Sequence, residues 1–525
     1  MMFATTIVFA ALAYLLYQRT LTQLTYFQQE EYDGRRFVSS CFDVRLYDVR
    51  ATAVTVVILT AIWLGFPDPL GLLLLAGAFV LIAVFEGKYR YKKPLAKTER
   101  LMRIRRIVLV ILLIAALLVF WHPLFSILVL QLVPLVVIAV NAAMTPFQKR
   151  INDGYVDQAR QKLNRINPVR IAITGSFGKT TVKHMFAEIL EASGPVFYSP
   201  GSINTVLGHT RHIRQRLQWS HTYFVAEMGA YGIGSIDRLC AFIQPNYGII
   251  TAVGDAHTER FGSLEAIAQA KSELAAHVCQ SGGTIVLNVD VMKFEPFKAL
   301  KQKFGEQIIT VGMGDADVVI NSEEIEGGSW SISLRSDDDR VPDLTFELPL
   351  IGEHNVLNSA LAVTMALVID KTTSSQLPFF TKTIAQIPHR LQKVNMPGSA
   401  LILDDAYNSN ELGFMSAVSS LDRLGKERGG RRILVTPGIA ELGLEHDRVH
   451  ERLGSFCSTR CDTIYVVNSA RIESFTQAAK GQTAQVIEVA NFTDARTEVS
   501  KILKSDDVIL YENDLPDLLE EKRLL

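Results

Sequence analysis

The sequence predicts a membrane α-helical N-terminal region followed by α/β structure, with a central domain built around a phosphate loop and a smaller Rossmann-like C-terminal domain. Three observations predict it. The chain is 48% hydrophobic, and that apolar excess is concentrated before residue 145. From Val169 onward, short apolar strands alternate with helical patterns, as in a parallel sheet. The first of those strands runs straight into a glycine loop, I-A-I-T-G-S-F-G-K-T-T at 171–181.

The first element is the apolar block, 1–144. Apolar runs occur at Met2–Tyr17, Ala51–Phe66, Leu70–Phe85, Ile107–Trp121 and Leu124–Met144. They carry no charge on any face, unlike an amphipathic core helix. Most lie near the short end of the ~20 residues that a spanning helix needs. Loop charge sets the orientation. Segment 87–106 holds nine basic residues (Lys88, Arg90, Lys92, Lys93, Lys97, Arg100, Arg103, Arg105, Arg106) against Glu99, whereas 67–69 and 122–123 hold no Lys or Arg. Five membrane-spanning helices with the N-terminus outside satisfy every loop. This topology predicts a multi-pass protein of a bacterial-type inner membrane whose later domains are cytoplasmic. Met2–Tyr17 lacks the basic start and small-residue cleavage site of a signal peptide and reads as an uncleaved anchor.

Length and charge bound the rest. A chain of 525 residues holds three or four units. A net charge of −1 gives no electrostatic case for nucleic acid. The five cysteines are scattered, and Cys457-x-x-x-Cys461 has no His/Cys partners for zinc, so they read as free thiols. Cys240 and Trp219 read as packing residues.

Segment 145–167 is polar with helical spacing and reads as a linker helix. The phosphate loop follows. Backbone N–H groups at such a strand–loop–helix junction point at phosphate oxygens. Lys179 adds charge for the outer phosphates, and the Thr180 hydroxyl sits where a Mg²⁺ ligand belongs. The loop is shortened: Gly175 and Gly178 are present, but Ile173 stands where a longer loop has its first glycine. Further strands are expected at Tyr223–Ala226, Tyr247–Thr251 and Thr284–Asn288, completing a central ATP-binding domain over 168–385. After a helical joint (His354–Ile369) and Pro388, strands near Leu401, at Arg432–Thr436 and at Thr463–Val467 mark a C-terminal domain over 386–525.

These motifs, in this order, resemble the Mur ligases, most closely the MurF type, which adds D-alanyl-D-alanine. The resemblance rests on T-G-S-F-G-K-T-T (174–181), S-I-N-T-V-L-G (202–208), V-A-E-M-G-A (225–230), G-D-A-H-T-E-R-F-G-S (254–263) with A-K-S-E (270–273), G-E-H-N-V-L-N-S-A-L-A (352–362), P-H-R-L (388–391), D-D-A-Y-N-S-N (404–410), and A-E-L-G (440–443) with His450. It implies an ADP-forming ligase that activates a carboxylate acceptor as an acyl phosphate and joins it to an amine donor, using ATP and two Mg²⁺ ions. Negative charge builds on a phosphoryl group in both steps, so cations must hold it.

The resemblance assigns ATP to Gly175, Ser176, Phe177, Gly178, Lys179, Thr180, Thr181, Asn355, Arg390 and Asp405, with Asn355 on the adenine side and Asp405, rather than Asp404, on the ribose. Asn355 also reads as a helix N-cap. Thr180, Glu227 and His257 are the metal candidates, Glu227 reading otherwise as a solvated strand end. Lys179, Glu227, His257, Lys271 and Arg390 form the catalytic set. Lys271 corresponds to a lysine that is carbamylated in several Mur ligases; an unmodified lysine that neutralises phosphate is the other reading. Asn204, Thr205, Tyr407, Asn408, Asn410, Glu441 and His450 are substrate candidates. The family also implies closure of the C-terminal domain on the central one.

One departure bears on substrate. The usual MurF-type enzyme begins with a small soluble domain that holds the uridine end of a UDP-muramoyl peptide, and here the apolar region occupies that place. This points to a membrane-proximal acceptor such as a lipid-linked glycan of the cell envelope. The alternatives are the usual UDP-muramoyl substrate, a poly-γ-glutamate-type polymer synthase, and a non-catalytic ATP-binding scaffold.

Overall fold

All five apolar runs are helical in a computed structural model of the chain, which describes residues 2–514 except 31, 44–46, 90, 92–94, 255–260, 326–327, 396–397, 408, 441 and 481. The chain divides into two compact units, one over 1–152 and one over 153–514.

The N-terminal unit comprises α1 (Met2–Gln29), α2 (Gly34–Asp43), α3 (Arg50–Trp63), α4 (Asp68–Gly87), α5 (Glu99–Ala116) and most of α6 (Phe125–Ile166). Three of these, α1, α4 and α6, are long and apolar enough to cross a membrane by length and composition. The other two of the five expected spans lie on α3 and α5. At 1.5 Å per residue α3 reaches only about 21 Å, against a hydrocarbon core of ~30 Å. Helix α5 spends its first turns on Arg100, Arg103, Arg105 and Arg106.

Helix α1 continues past its apolar run, and its polar second half is buried: Arg19, Thr20, Thr22, Gln23 and Thr25 are all at most 3% exposed. Arg19 is neutralised by Asp48 at 2.7 Å and Glu86 at 3.1 Å, as a buried charge requires. The linker at 145–167 is not a separate element. It continues α6 without a break, and Thr145 caps its own hydroxyl on Asn141 O at 2.8 Å.

The second unit holds two sheets. In the first, β1 (Val169–Thr174) lies between β3 (Tyr223–Glu227) and β4 (Tyr247–Ile250), with β2 (Val196–Tyr198) outside β3. Beyond β4 come β5 (Thr284–Asn288), β6 (Ile308–Gly312), β7 (Val318–Ile325), β8 (Ser329–Ser336) and β9 (Leu344–Leu348). Pairing is parallel from β2 to β7 and antiparallel from β7 to β9. Strand β1 is buried on both faces, as expected of a central parallel strand. Helices α7 (Lys179–Leu190) and α12 (His354–Ile369) pack on one face. Helices α9 (Ser235–Ile243), α10 (Leu264–Gln280) and α11 (Glu295–Lys303) cover the other, with the end of α6 and α8 (Val206–Arg216). The antiparallel extension β7–β9 was not anticipated from the sequence.

A short helix α13 (Leu377–Lys382) leads to the second sheet, ordered β10 (Gln392–Val394), β11 (Leu401–Asp405), β15 (Val508–Glu512), β12 (Arg432–Thr436), β13 (Thr463–Val467) and β14 (Gln485–Val489). All its pairs are parallel except β10–β11. Helices α14 (Glu411–Arg428), α15 (His446–Ser458) and α16 (Glu473–Lys480) lie on one face and α17 (Phe492–Ile502) on the other. Cys240, Cys279, Cys457 and Cys461 are free and buried.

Candidate nucleotide and metal site

The glycine loop sits at the carboxyl end of β1, where the strand order reverses, the usual ligand crevice of an open parallel sheet. Gly178 caps α7 in the left-handed region (φ 77°), and a Cβ there would stand 2.6 Å from Asn358 Oδ1. A Cβ on Gly175 would collide with the Thr251 hydroxyl. The loop is tied to the segment after β4: Ser176 N donates to Ala252 O at 2.7 Å, Gly254 N donates to Ser176 Oγ at 3.0 Å, and the Thr251 hydroxyl donates to Phe177 O. The loop at 174–181 and the start of G-D-A-H are therefore one structural piece. His257 lies outside the described residues.

Lys179 Nζ donates to Gly175 O at 2.7 Å and Ser176 O at 3.0 Å. Burial pulls its ammonium down to about 8, with Glu227 opposing. One helical turn on, Lys183 Nζ pairs with Glu227 Oε2 at 3.1 Å and also donates to Gly201 O. The Thr180 hydroxyl donates to the same Glu227 oxygen at 3.0 Å, and Asn204 Nδ2 reaches Oε1 at 3.5 Å. His209 Nε2 lies 2.7 Å from the Glu227 carbonyl; burial brings His209 down to about 4, so the ring is neutral and donates. Glu227 is thus no solvated strand end. It is a hub, 1% exposed, that joins the phosphate-loop helix to the 201–205 loop.

A Mg²⁺ ion fits this hub. Glu227 and Thr180 offer hard oxygens side by side.

Lys271 is 5% exposed on α10 and makes no hydrogen bond or ion pair among the described residues. Burial, and then Lys179, push its ammonium well below the usual range. This shift favours the neutral amine, the form that adds CO₂.

The second domain reaches the loop through Arg390. Its Nη2 lies 3.4 Å from Thr180 Oγ1 and its guanidinium stacks 4.4 Å from the Tyr407 ring centroid. The Tyr407 hydroxyl touches that of Ser202, closing the contact across the two domains. Arg390 stands between two left-handed non-glycine residues, His389 (φ 59°) and Leu391 (φ 50°). D-D-A-Y holds them there: Asp404 Oδ2 pairs with His389 Nδ1 at 2.8 Å, and Asp405 Oδ1 accepts from Leu391 N at 3.0 Å. Asp405 stands beside Glu512, its register partner on β15, whose Oε1 accepts from the Ser409 hydroxyl. Burial raises both carboxyls.

A cavity of about 240 Å³ lies behind Arg390, lined by Thr181, Asn355, Ile351, Gln386 and Leu391 among others. Asn355 is not an N-cap. Glu353 occupies that position, and Asn355 Nδ2 donates to Ile351 O at 2.7 Å from within the first turn of α12.

Other candidates have structural duties. Thr205 caps α8 through Gly208 N at 3.2 Å, and Asn410 caps α14 through Gly413 N at 3.0 Å. His450 is fully buried, accepting from Ile439 N at Nε2 (3.0 Å) and donating from Nδ1 to His446 O (2.7 Å). It offers no free ring nitrogen to a substrate. Asn408 and Glu441 lie outside the described residues. The sequence reading passed over Lys183, His209, Ser202 and Glu512. Lys183 alone carried a signal, being four residues after Lys179 on the same helix face.

The family model of the Mur ligase middle domain matches residues 173–366, and that of the Mur ligase glutamate ligase domain matches 389–511. The UDP-N-acetylmuramoyl-tripeptide–D-alanyl-D-alanine ligase of Escherichia coli is 28% identical over 288 residues, 55% of this chain and 62% of that protein. The enzyme of the same name from Haemophilus influenzae is 29% identical over 392 residues, 73% of this chain and 79% of that protein. The chain thus spans less than two thirds of the E. coli relative. Among solved structures, MurF ligase from Thermotoga maritima in complex with ADP has a TM-score of 0.57 at 24% identity, covering 69% of this chain and 80% of that one. MurF from Acinetobacter baumannii has a TM-score of 0.58 at 24% identity, covering 70% and 81%. These two share the fold. With both family domains in order on a phosphate loop, a glutamate hub and an arginine from the second domain, the chain belongs to the Mur ligase family.

Proposed function

We propose that the chain is an ATP-dependent, ADP-forming acid–amino-acid ligase. The observation that carries this is the Glu227 hub, which brings the phosphate-loop Thr180, the 201–205 loop and, through Arg390, the second domain to one point. A carboxylate oxygen of the acid attacks the γ-phosphorus of ATP, and the bond to the ADP oxygen breaks. The amine lone pair then attacks the acyl carbon, inorganic phosphate leaves with the C–O electron pair, and the nitrogen gives up a proton to water. Lys179 and Arg390 hold the charge on the phosphoryl oxygens. Glu227 and Thr180 would hold Mg²⁺, which would supply further positive charge there. The cavity beside Asn355 takes the adenosine end. A carbamylated Lys271 would supply a further carboxylate close enough to Lys179 to feel its charge.

The names of the relatives favour the MurF-type pair, a UDP-muramoyl tripeptide and D-alanyl-D-alanine, over the membrane-proximal acceptor that the sequence suggested. The lipid-linked acceptor stays as the second reading because α1, α4 and α6 are long and apolar enough to cross a bilayer. Purified full chain in detergent, given ATP, Mg²⁺, D-alanyl-D-alanine and either UDP-muramoyl tripeptide or its undecaprenyl-linked counterpart, should release phosphate with the nucleotide-linked acid. Turnover with the lipid-linked acid alone selects the second reading. Products that lengthen with time would assign polymer synthesis. Absence of release with every pair, or cellular function that survives Lys179→Ala, would sink the ligase reading.

A further inference from the structure

Trp219, which the sequence suggested was a packing residue, is 72% exposed. It forms one rim of a groove of about 360 Å³, lined by Gln158, Gln161, Lys162, Arg165 and Leu217, within the ~300–1,000 Å³ typical of small-molecule sites. The opposite rim is a single face of α6, where Gln158, Gln161, Lys162 and Arg165 recur at helical spacing. The floor is apolar: Leu217 is buried with Leu163 and Ile213.

The indole is presented by a braced turn. Gln218 N donates to His221 Nδ1 at 3.0 Å, His221 N donates to Gln218 O at 3.2 Å, and the His221 ring packs 5.3 Å from Phe197. Gln158, Gln161, Arg165 and Trp219 make no hydrogen bond, ion pair or ring contact among the described residues. Lys162 donates to Arg214 O at 2.9 Å.

Two free amides, a free guanidinium and an exposed indole are a donor set for a sugar phosphate. The apolar face of a pyranose lies on an indole. Amides both give and accept hydrogen bonds with hydroxyls. A guanidinium takes phosphate oxygens in pairs.

The groove lies at the amino ends of β1 and β3, and helix α8 spans from there to the candidate site at their carboxyl ends. Helix α8 begins at its Thr205 cap, next to Asn204 on the Glu227 hub, and ends at Arg216, beside the groove floor. Its length is about 16 Å. An arm of roughly five extended residues, ~3.3 Å each, covers that span.

We propose that this groove holds the glycosyl-phosphate portion of the acid substrate, while the carboxylate at the far end of the same molecule reaches the Glu227 hub. The proposal rests on the ligase reading. The test uses full chain in detergent, with N-acetylglucosamine 1-phosphate as the probe of direct binding. Binding should change Trp219 fluorescence, be lost in Trp219→Ala and weaken about tenfold in Arg165→Gln. With UDP-muramoyl tripeptide, both variants should raise KM for the acid about tenfold while leaving kcat and KM for ATP unchanged. Equal affinity in all three proteins overturns the proposal, as does inorganic phosphate competing as well as the sugar phosphate. So does a Trp219→Ala variant that leaves sugar-phosphate binding intact but no longer binds phosphatidylglycerol vesicles, which would make the groove a lipid-headgroup contact. The binding arm needs no turnover, so a wild-type chain that binds the probe yet ligates nothing would refute the ligase reading and not the groove.

Discussion

Lys183 Nζ lies 3.1 Å from Glu227 Oε2, with the two side chains 0% and 1% exposed. The same ammonium holds Gly201 O and the same carboxylate oxygen takes the Thr180 hydroxyl. Burial pulls Lys183 below the usual lysine range while Glu227 opposes that shift. Lys183 is therefore a positioning residue: it fixes Glu227, the proposed metal ligand, and anchors the start of the 201–205 loop.

Replacing it tests this. Lys183→Met leaves Glu227 as an unpaired buried carboxylate, a loss of about 3–5 kcal/mol. A divalent cation restores part of the missing charge. Mg²⁺ without nucleotide should raise the melting temperature of Lys183→Met but barely move that of the wild type. Equal responses in the two proteins would show that Lys183 does not govern the metal site.

Lys179 gives a pH dependence. Burial holds it down to about 8, whereas bound phosphates favour its charged form. Nucleotide binding then takes up a proton when the free lysine is deprotonated, so affinity should fall as pH rises from about 8 to 9.5 and change little just below 8. Calorimetry in buffers of different ionisation enthalpy reads the proton directly. Lys179→Arg keeps its charge throughout and should flatten the profile; a slope unchanged in that variant would assign it to another group.

Much of this site was legible because its signals are local. The loop at 174–181 joins a strand to a helix within a dozen residues, and glycine, lysine and threonine there announce themselves by spacing. Lys183 did not, since its partner Glu227 lies 44 residues away on another strand. Glu512 was invisible for the same reason: only the register of β11 against β15 sets it beside Asp405. The break assumed at 144–145 was a change of polarity, and α6 shows that polarity can change while the backbone stays helical. Trp219 was misjudged because exposure is not a property of composition.

The Asp405–Glu512 pair predicts a stability effect of the opposite sign to that of ordinary acid denaturation. Both carboxyls are raised by burial, so between the unfolded carboxylate range and the folded values the native chain binds more protons than the unfolded one. Stability from this pair is present at about pH 4 and lost as pH rises through the folded values. Glu512→Gln removes one of the two raised carboxyls and leaves Asp405 buried. Denaturant unfolding of the variant at about pH 5 and pH 8 should show a smaller decline than the wild type shows. An identical decline in both would mean that Glu512 contributes nothing to the pH dependence.

His450 supplies the last test. Burial brings its ring down to about 3, so it is neutral, with both nitrogens committed to backbone. Together with Arg471, which donates to Ile439 O at 3.0 Å, and Asn513, which donates to Gly438 O at 2.7 Å, it braces the 437–439 loop after β12. His450→Ala leaves the Ile439 N–H unpaired beside a cavity and should cost about 2–4 kcal/mol. The folded protein should keep its KM for the amine, because the ring touches backbone and not substrate. A rise of about tenfold in that KM without loss of stability would place His450 at the amine after all.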